Sequence, residues 1–499
     1  MAVRDMLPHL ERPVAAGPMD AEVTSVTADS RAVEAGSVFV AIRGSLLDGR
    51  DFIPVACEKG AVAVIADRAP ETGDPEDLAW IQVADPRGAL ASLADLLADH
   101  PSTKLKLVGV TGTNGKTTAT FLCHHIMKRQ WHRAGVLGTI LVDDGEESTT
   151  ASHTTPDPVA LQELLGRMVD HGCRGAALEV SSHGIDQKRV DRVFFDVQVF
   201  TNLSQDHLDY HGTMEAYAKV KYSWFEDAAA NSGGKRPVAV VNIDDSRGAD
   251  LVDLVEDRMP VVRFGFGLES DFRAIDFRQS ARGMEFKLSA GGKSFLVRSP
   301  LIGRFNVYNL LAALAATKAV GVSLRDAVAA LADAPQVPGR MEHCGTRDGV
   351  SVFVDYAHTP DALENVCSTL KELDPRRLIT VFGCGGDRDR GKRPLMAKAA
   401  SRHSDVCIIT SDNPRGEDPE KIVREIESGM GSVRHKSVID RAEAIRIAIH
   451  AAGDGDIVLI AGKGHEAYQQ FSDRTIDFDD RREARRALAE RPSPESPRR

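Results

Sequence analysis

Short apolar runs recur along this chain, each closing on a glycine turn or a polar cluster and giving way to a stretch of helical composition. That alternation restricts the fold to an α/β architecture. Runs at 38–42 and 61–65, set among glycine turns, predict a small α/β unit between about 23 and 81. Residues 100–104 read as a linker. A buried strand at 105–110 enters a glycine loop and then a helix from about Lys116, with further strands expected near 175–178, 193–200 and 237–242. Past Pro338-Gly339-Arg340, strands at 350–354, 378–382, 406–410 and 457–461 alternate with helical stretches, the pattern of a doubly wound sheet. Alanine-rich stretches at 310–316 and 327–332 read as packed helices. The expected fold class is α/β in three domains: a small N-terminal α/β domain (1–104), a central P-loop ATPase-like α/β domain (105–340) and a C-terminal Rossmann-like α/β domain (341–499). The proline-broken tail from about 490 is expected to be disordered.

Length agrees with three domains, since 499 residues at about 150 per domain give that number. Charge narrows the partners: 62 basic against 73 acidic side chains leave a net charge of −11, so there is no global positive field for a nucleic acid. The first residues carry Arg4, Asp5, Glu11 and Arg12 with Pro8 and Pro13, unlike the apolar stretch of a secretory signal. With no later run long enough to span a bilayer, the reading is a cytoplasmic protein without membrane insertion. The cysteines (Cys57, Cys123, Cys173, Cys344, Cys367, Cys384, Cys407) are odd in number and lack C-x-x-C spacing, which suits buried reduced thiols.

The strongest motif runs from Val108 through Gly109, Val110, Thr111, Gly112, Thr113, Asn114, Gly115, Lys116, Thr117 and Thr118. Glycines let backbone N–H groups close on phosphate oxygens, Lys116 can neutralise the β/γ-phosphates, and Thr117 can ligate Mg²⁺. The strict pattern would need glycine where Val110 stands. No Asn/Thr-Lys-x-Asp base-reading motif accompanies the loop, which disfavours a signalling GTPase. Polar clusters instead follow predicted strands, at Glu179-Val180-Ser181-Ser182-His183, at 202–209 and at Asp355-Tyr356-Ala357-His358. Carboxyl ends of strands are where ligands bind in open α/β sheets. Glu179, and His207 beside Asp206, could converge there on metal held by a triphosphate, and oxygen ligands suit Mg²⁺.

In this combination the sequence closely resembles the Mur ligase family, ATP-dependent enzymes that build the peptide of the bacterial cell-wall precursor. The matching segments are 111–117, 179–183, 202–209, Tyr217-Ala218-Lys219-Val220-Lys221, Gly303-Arg304-Phe305-Asn306-Val307-Tyr308-Asn309, Gly339-Arg340-Met341-Glu342 and 355–360, in family order. The third segment resembles the member that adds meso-diaminopimelate, through Asp412-Asn413-Pro414-Arg415, Gly386 to Arg393 and Ala461 to Glu466. Arginine can clasp the far carboxylate of that amino acid in a bidentate fork, and Glu466 can pair with its ammonium.

The resemblance implies roles by position. Gly112, Thr113, Asn114, Gly115, Lys116, Thr117, Thr118, Asn306, Arg340 and Asp355 would bind ATP. Lys116, Glu179, His207 and Lys221 would be catalytic; Thr117, Glu179, His207 and Lys221 would hold Mg²⁺, with Lys221 carbamylated to N6-carboxylysine. Ser30, Ser45, His153, Thr154, Thr155, Ser181, Gln187 and Arg189 would bind the UDP-linked substrate, the first domain meeting its uridine end. Arg388, Asp412, Asn413, Pro414, Arg415, Gly462 and Glu466 would bind diaminopimelate. His153 stands where relatives often have asparagine, and Ala28 where they have a larger residue.

The activity so implied is that of a monomeric amide ligase in peptidoglycan precursor synthesis. The γ-carboxylate of D-glutamate in UDP-N-acetylmuramoyl-L-alanyl-D-glutamate takes the γ-phosphoryl group of ATP, and the diaminopimelate amine then displaces phosphate from the acyl phosphate. Two alternatives are a folylpolyglutamate-synthase-like ligase, disfavoured by the N-terminal segment and residues 412–415, and a non-catalytic scaffold, disfavoured by the intact Lys116, Glu179, His207 and Lys221.

Overall fold

Strand Ser37–Val40 is buried at every position, as an apolar run between turns requires of a strand covered on both faces. It pairs in parallel with Ser25–Thr27 and Ala63–Ala66, Ala63–Ala66 pairs with Ala79–Gln82, and antiparallel Val14–Ala16 completes a five-stranded sheet. The computed structural model describes residues 1–44, 47–71, 74, 77–151 and 153–492. They form two compact units: Met1–Ala274 with Leu288–Phe295 and Tyr308–Ala330, and Ile275–Lys287 with Leu296–Val307 and the chain from Leu331. Of the tail expected from about 490, Arg491 is buried and donates to the Arg347 carbonyl at 3.3 Å, and residues 493–499 lie outside the described residues. Among the described residues no helix is long and apolar enough to cross a membrane. All seven cysteines are free thiols, and all but Cys57 are buried.

The first unit also holds a second sheet. Strand Lys106–Thr111 lies between Gly175–Glu179 and Val197–Phe200, parallel to both. Beyond these come Gly135–Leu137 on one side, and Val238–Asn242 and Val261–Gly265 on the other, all parallel. The chain therefore leaves the two flanks of Lys106–Thr111 in opposite directions, and the crevice at that strand's carboxyl end is where ligands bind in such sheets. Register brings Glu179 opposite Val110, and Phe200 opposite Thr111, so the three strands end together.

The two sheets of this unit are joined through Asp85. Its carboxylate caps helix Pro86–Leu97 by accepting from the Gly88 N–H at 3.1 Å, and also accepts from Lys188 Nζ at 2.6 Å. Residues 100–104, expected as a linker, instead form the helical turn Pro101–Lys104. Pro101 suits a helix start, and the buried Ser102 hydroxyl accepts from Phe194 N at 3.2 Å, which fixes the turn against the central sheet.

The second unit is doubly wound, as the alternation of strands and helices predicts. Its sheet runs Glu342–Arg347, Val350–Asp355, Ile457–Ala461, Leu378–Phe382, Val406–Ile409, Arg434–Ser437, with only the first pair antiparallel. Alternate side chains feed two cores. Phe353, Phe382 and Leu459 pack with Leu363, Met396 and Ile426 on one face. Val352, Val381 and Ile460 pack with Ile445, Ala448 and Ala484 on the other. The parallel strands end on segments 355–358, 383–391, 410–416 and 462–466, which carry most of the polar residues singled out in this part of the sequence.

One buried ion pair ties this unit together. Arg441 and Asp480 are both fully buried; the guanidinium donates to Asp480 Oδ1 and Oδ2, each at 2.7 Å, and to the carbonyls of Ser411 at 3.2 Å and Ala461 at 3.0 Å. Removing one partner leaves an unpaired buried charge, a change that costs about 3–5 kcal/mol. Asp480→Ala should therefore lower unfolding free energy by about that amount in chemical denaturation; a loss below about 1 kcal/mol would show that water replaces the carboxylate.

Candidate active site

The loop after Lys106–Thr111 is shaped by glycines. At Gly112, with φ of +143°, an added Cβ would lie 1.9 Å from Thr201 Oγ1, so no side chain fits there. The loop is stapled to the segment after Val197–Phe200: Asn114 N–H donates to Asn202 Oδ1 at 2.9 Å, and Thr113 N–H to the Asn202 carbonyl at 2.9 Å. Asn114 Nδ2 reaches Ser204 Oγ at 3.2 Å. Lys116, first residue of helix Lys116–Trp131, donates from Nζ to the carbonyls of Gly112 at 2.9 Å and Thr113 at 2.8 Å.

Glu179, 2% exposed at its strand end, is the hub beside this loop. Its Oε2 accepts from Thr117 Oγ1 at 2.9 Å and Thr139 Oγ1 at 3.1 Å, and its Oε1 from Thr139 N–H at 2.7 Å. Thr139 Oγ1 lies 3.0 Å from Thr154 Oγ1; Thr155 Oγ1 donates to the Glu179 carbonyl at 2.9 Å and lies 3.1 Å from Ser181 Oγ. Arg189 Nη1 then donates to the Thr155 carbonyl at 2.8 Å, and Nη2 to Gln187 Oε1 at 2.7 Å. Residues expected at the triphosphate and at the UDP-linked substrate are thus parts of one hydrogen-bonded run, joined at Glu179 both directly to Thr155 and through Thr139, which lies in no motif.

Past that run lies a cavity of about 270 Å³. Ala28, Ile42, Arg87 and Leu90 line it from the N-terminal segment, and His153, Asp157, Gln187 and Arg189 from the central one. Three expected residues, His153, Gln187 and Arg189, are on its wall; Thr154, Thr155 and Ser181 stand behind it. Ser30 is in the turn after Ser25–Thr27, off the lining, and Ser45 lies outside the described residues. Ala28 and His153 share this cavity. Arg87 is a cation that sequence reading missed.

Lys221, on helix Met214–Ala230, is 1% exposed. Its Nζ donates to Gly112 O at 3.1 Å and Thr111 Oγ1 at 3.3 Å and lies 4.8 Å from the Tyr217 ring centre. Burial, and then the nearby Lys116, hold its pKa well below the ordinary lysine value, which favours the uncharged amine. His207 has a left-handed backbone (φ 53°) and packs edge-on against His183 at 5.0 Å. Burial lowers its pKa as well. Among the described residues, no three His, Cys, Asp or Glu side chains form a metal cage. The donors near the loop are the Thr117 hydroxyl and the Glu179 carboxylate, an all-oxygen set of the kind that holds Mg²⁺ together with substrate phosphates.

In the second unit, Asn306 is buried and donates from Nδ2 to Ile302 O at 2.7 Å. Arg340 stacks on Tyr356 at 4.8 Å. Asp355, buried, accepts from the N–H groups of Met341 at 2.6 Å and Ala357 at 2.8 Å. Burial raises its pKa above the usual carboxylate value.

A separate cluster forms at the ends of Leu378–Phe382, Val406–Ile409 and Ile457–Ala461. Gly386 N–H donates to Asn413 O at 2.9 Å, and Gly416 N–H to Asp387 Oδ2 at 2.9 Å, zipping two loops together. Buried Arg393 clamps them through Glu417 at 2.8 and 3.0 Å and Glu425 at 2.6 Å. Arg393 first, then the Asp387 N–H, pulls the Glu417 pKa down to about 2. Arg415, left-handed at φ 50°, donates from Nη1 to Gly386 O at 2.9 Å, and its N–H donates to Gln470 O at 3.0 Å in hairpin 468–477. Arg388 lies on the same rim: a Cβ on Gly385 would meet Arg415 Nη1 at 2.8 Å and Arg388 Cγ at 3.9 Å. Asp412 and Asn413 are buried, Asp412 lies against Gly462, and Asn413 Nδ2 donates to Glu466 Oε2 at 2.9 Å. All the residues expected at diaminopimelate are on these loops or at Pro414 between them. Lys463, which sequence reading gave no role, lies among them.

A phosphate-binding loop on a parallel sheet, with a cluster of opposed charges on a doubly wound unit, defines a nucleotide-using α/β enzyme class. Residues 22–97 match the Mur ligase family catalytic domain, 110–317 the Mur ligase middle domain, and 339–464 the Mur ligase glutamate ligase domain. The chain belongs to the Mur ligase family. It is 45% identical over 473 residues to the UDP-N-acetylmuramoyl-L-alanyl-D-glutamate–2,6-diaminopimelate ligase of Geobacillus kaustophilus, covering 94% of this chain and 96% of that one. Identity to the ligase of the same name from Geobacter sulfurreducens is 43% over 502 residues, with 97% and 98% covered. A solved structure of a ligase with this name is similar with a TM-score of 0.72 and 36% identity, covering 98% and 99% of the two chains.

The buried Lys221 amine has no carboxylate partner among the hydrogen bonds and ion pairs of the described residues. Lys221→Met should therefore keep the melting temperature within a few degrees of the parent, a change of about 1 kcal/mol or less. A fall of more than about 10 °C would show that the amine carries folding energy.

Proposed function

We propose that the chain is an ATP-dependent ligase that adds meso-2,6-diaminopimelate to the D-glutamate γ-carboxylate of UDP-N-acetylmuramoyl-L-alanyl-D-glutamate, in cytoplasmic peptidoglycan precursor synthesis. The observation that carries this reading is the joint one: near-full-length relatives bearing that ligase name, and the charged loops 385–388, 412–415 and 462–466 in one cluster.

A carboxylate is a poor acylating agent, so the reaction is split. A γ-carboxylate oxygen of D-glutamate bonds to the γ-phosphorus of ATP, the bond to ADP breaks, and an acyl phosphate forms. The diaminopimelate amine then attacks the acyl carbon, phosphate leaves, and the amine gives up a proton. The N–H groups of Gly115 and Lys116 at the helix start and the Lys116 ammonium bind and orient the phosphates, where fixed donors stabilise charge on the transferring group. Thr117 and Glu179, with His207 and Lys221, are the residues that would hold Mg²⁺; when bound it supplies charge neutralisation on the phosphates. Asn306, Arg340 and Asp355 complete the ATP residues.

Lys221 is suited to carbamylation: an uncharged buried amine can add carbon dioxide and release a proton, turning a neutral amine into an anion that serves as a metal ligand. The cavity lined by Arg87, His153, Gln187 and Arg189 receives the UDP-linked substrate, with the N-terminal segment at its nucleotide end. Arg388 and Arg415 take the far carboxylate of diaminopimelate, and Glu466 its ammonium. A folate-glutamate ligase is the less favoured reading, because residues 14–82 build a sheet of their own, and that segment with the helix after it contributes Ala28, Ile42, Arg87 and Leu90 to the cavity's wall.

Purified protein should release ADP only when ATP, the UDP-dipeptide and meso-diaminopimelate are all present, with lysine and ornithine turned over far more slowly. Equal turnover with lysine would refute the amino-acid assignment, and stimulation by folate would refute the acceptor. Arg415→Ala should raise KM for diaminopimelate by at least about tenfold, with KM for ATP changed by less than about threefold. Equal effects on both substrates would count against its placement.

A further inference from the structure

Lys463 is fully buried, yet it stands in the charged cluster rather than in a core. A buried cation needs partners, and its own are specific. Its Nζ donates to Asn413 Oδ1 at 3.0 Å and to Glu466 Oε2 at 3.1 Å, and lies 5.2 Å from the centre of the Tyr468 ring. Asn413 has a single compatible amide orientation: Oδ1 accepts from both Lys463 and the Gln470 N–H at 3.0 Å, so Nδ2 donates to Glu466 Oε2 at 2.9 Å. Two donors therefore hold one oxygen of Glu466. Among the described residues no hydrogen bond engages the other, Oε1, and the side chain keeps 20% of its surface exposed.

From this geometry we propose that Lys463 is a positioning and specificity-determining residue for the amino-acid substrate: through Glu466 and Asn413 it presents one fixed carboxylate oxygen, already half neutralised, to the distal centre of a diamino-diacid. The inference rests on the function proposed above. Its content is electrostatic. Glu466 and Lys463 together carry no net charge, and Asp412 against Gly462 offsets one of Arg388 and Arg415, so one positive charge is left to match the distal carboxylate of a zwitterion. A bare distal ammonium, as in lysine, meets the Lys463 and arginine cations with no carboxylate of its own to offset them. Like charges that face each other discriminate by repulsion as much as matched charges do by attraction. Lys463 thus works against lysine as well as for diaminopimelate, and it does so without touching either.

The test uses the full chain with Lys463→Met, Glu466→Gln and the double variant, reading ADP release with meso-diaminopimelate and with L-lysine. Lys463→Met should raise KM for diaminopimelate by at least about tenfold, leave KM for ATP and the UDP-dipeptide within about threefold, and narrow the preference for diaminopimelate over lysine by at least about tenfold. The double variant, which leaves no unpaired charge and whose melting temperature reports folding, should be no worse than Glu466→Gln alone. A preference that stays constant while both amino acids lose activity in parallel would reduce Lys463 to scaffolding and overturn the proposal. So would an unchanged KM for diaminopimelate in Lys463→Met when Glu466→Gln raises it. If Glu466→Gln has no effect either, the placement of diaminopimelate at this cluster fails, and the inference falls with it.

Discussion

The first unit depends on a single carboxylate at the end of a parallel strand. Burying Glu179 is unfavourable unless its oxygens are satisfied, and they are satisfied by Thr117 from the phosphate-loop helix and Thr139 from the turn after Gly135–Leu137. The same strand end fixes Thr155 through the Glu179 carbonyl, and the Thr155 hydroxyl in turn meets Ser181. Phosphate loop and cavity are in this way held to one reference point. A shift of that strand by one residue would move both, which is why register with Lys106–Thr111 matters more here than any one contact.

The second unit solves the opposite problem, too many charges in too little water. Arg393, Arg441 and Lys463 are all fully buried, and each joins loops from different strands. Arg393 closes 385–387 onto 413–417, Arg441 grips the carbonyls of Ser411 and Ala461, and Lys463 joins Asn413 to Glu466. Left-handed backbone at Asp387 and Arg415 adds about 1–3 kcal/mol of strain at each, tolerated where surroundings over-determine it. Buried ion pairs are weak evidence of stability, but they do fix geometry, and geometry is what recognition of a small zwitterion demands.

How far the sequence reveals this depends on where the determining contacts lie. Strands Val350–Asp355, Leu378–Phe382 and Ile457–Ala461 were legible to within a residue because they are buried on both faces and read as continuous apolar runs. Arg434–Ser437 was not: all four residues are exposed, and only pairing with Val406–Ile409 makes a strand of them. Strands Phe272–Ser280 and Gly283–Ala290 carry an alternating burial pattern diluted by charge, and they were missed as well. At the site, Lys116, Thr117 and Glu179 announce themselves through motif and strand end. Thr139, Arg87 and Lys463 do not, because a threonine 40 residues from its carboxylate or a lysine within a glycine string has no local signature. The hydrogen-bond network that selects them exists only in three dimensions.

Arg441 has a temporal consequence. Its partner Asp480 opens helix Asp480–Ala489, the last helix of the described chain, while the carbonyls it grips belong to loops reached by residues 411 and 461. A nascent chain that has emerged as far as the Ile457–Ala461 strand can already form most of its parallel sheet, but it still has a guanidinium facing the interior with no counter-charge. Until Asp480 has been added, the loops carrying Ser411 and Ala461 lack the clamped guanidinium that holds their carbonyls.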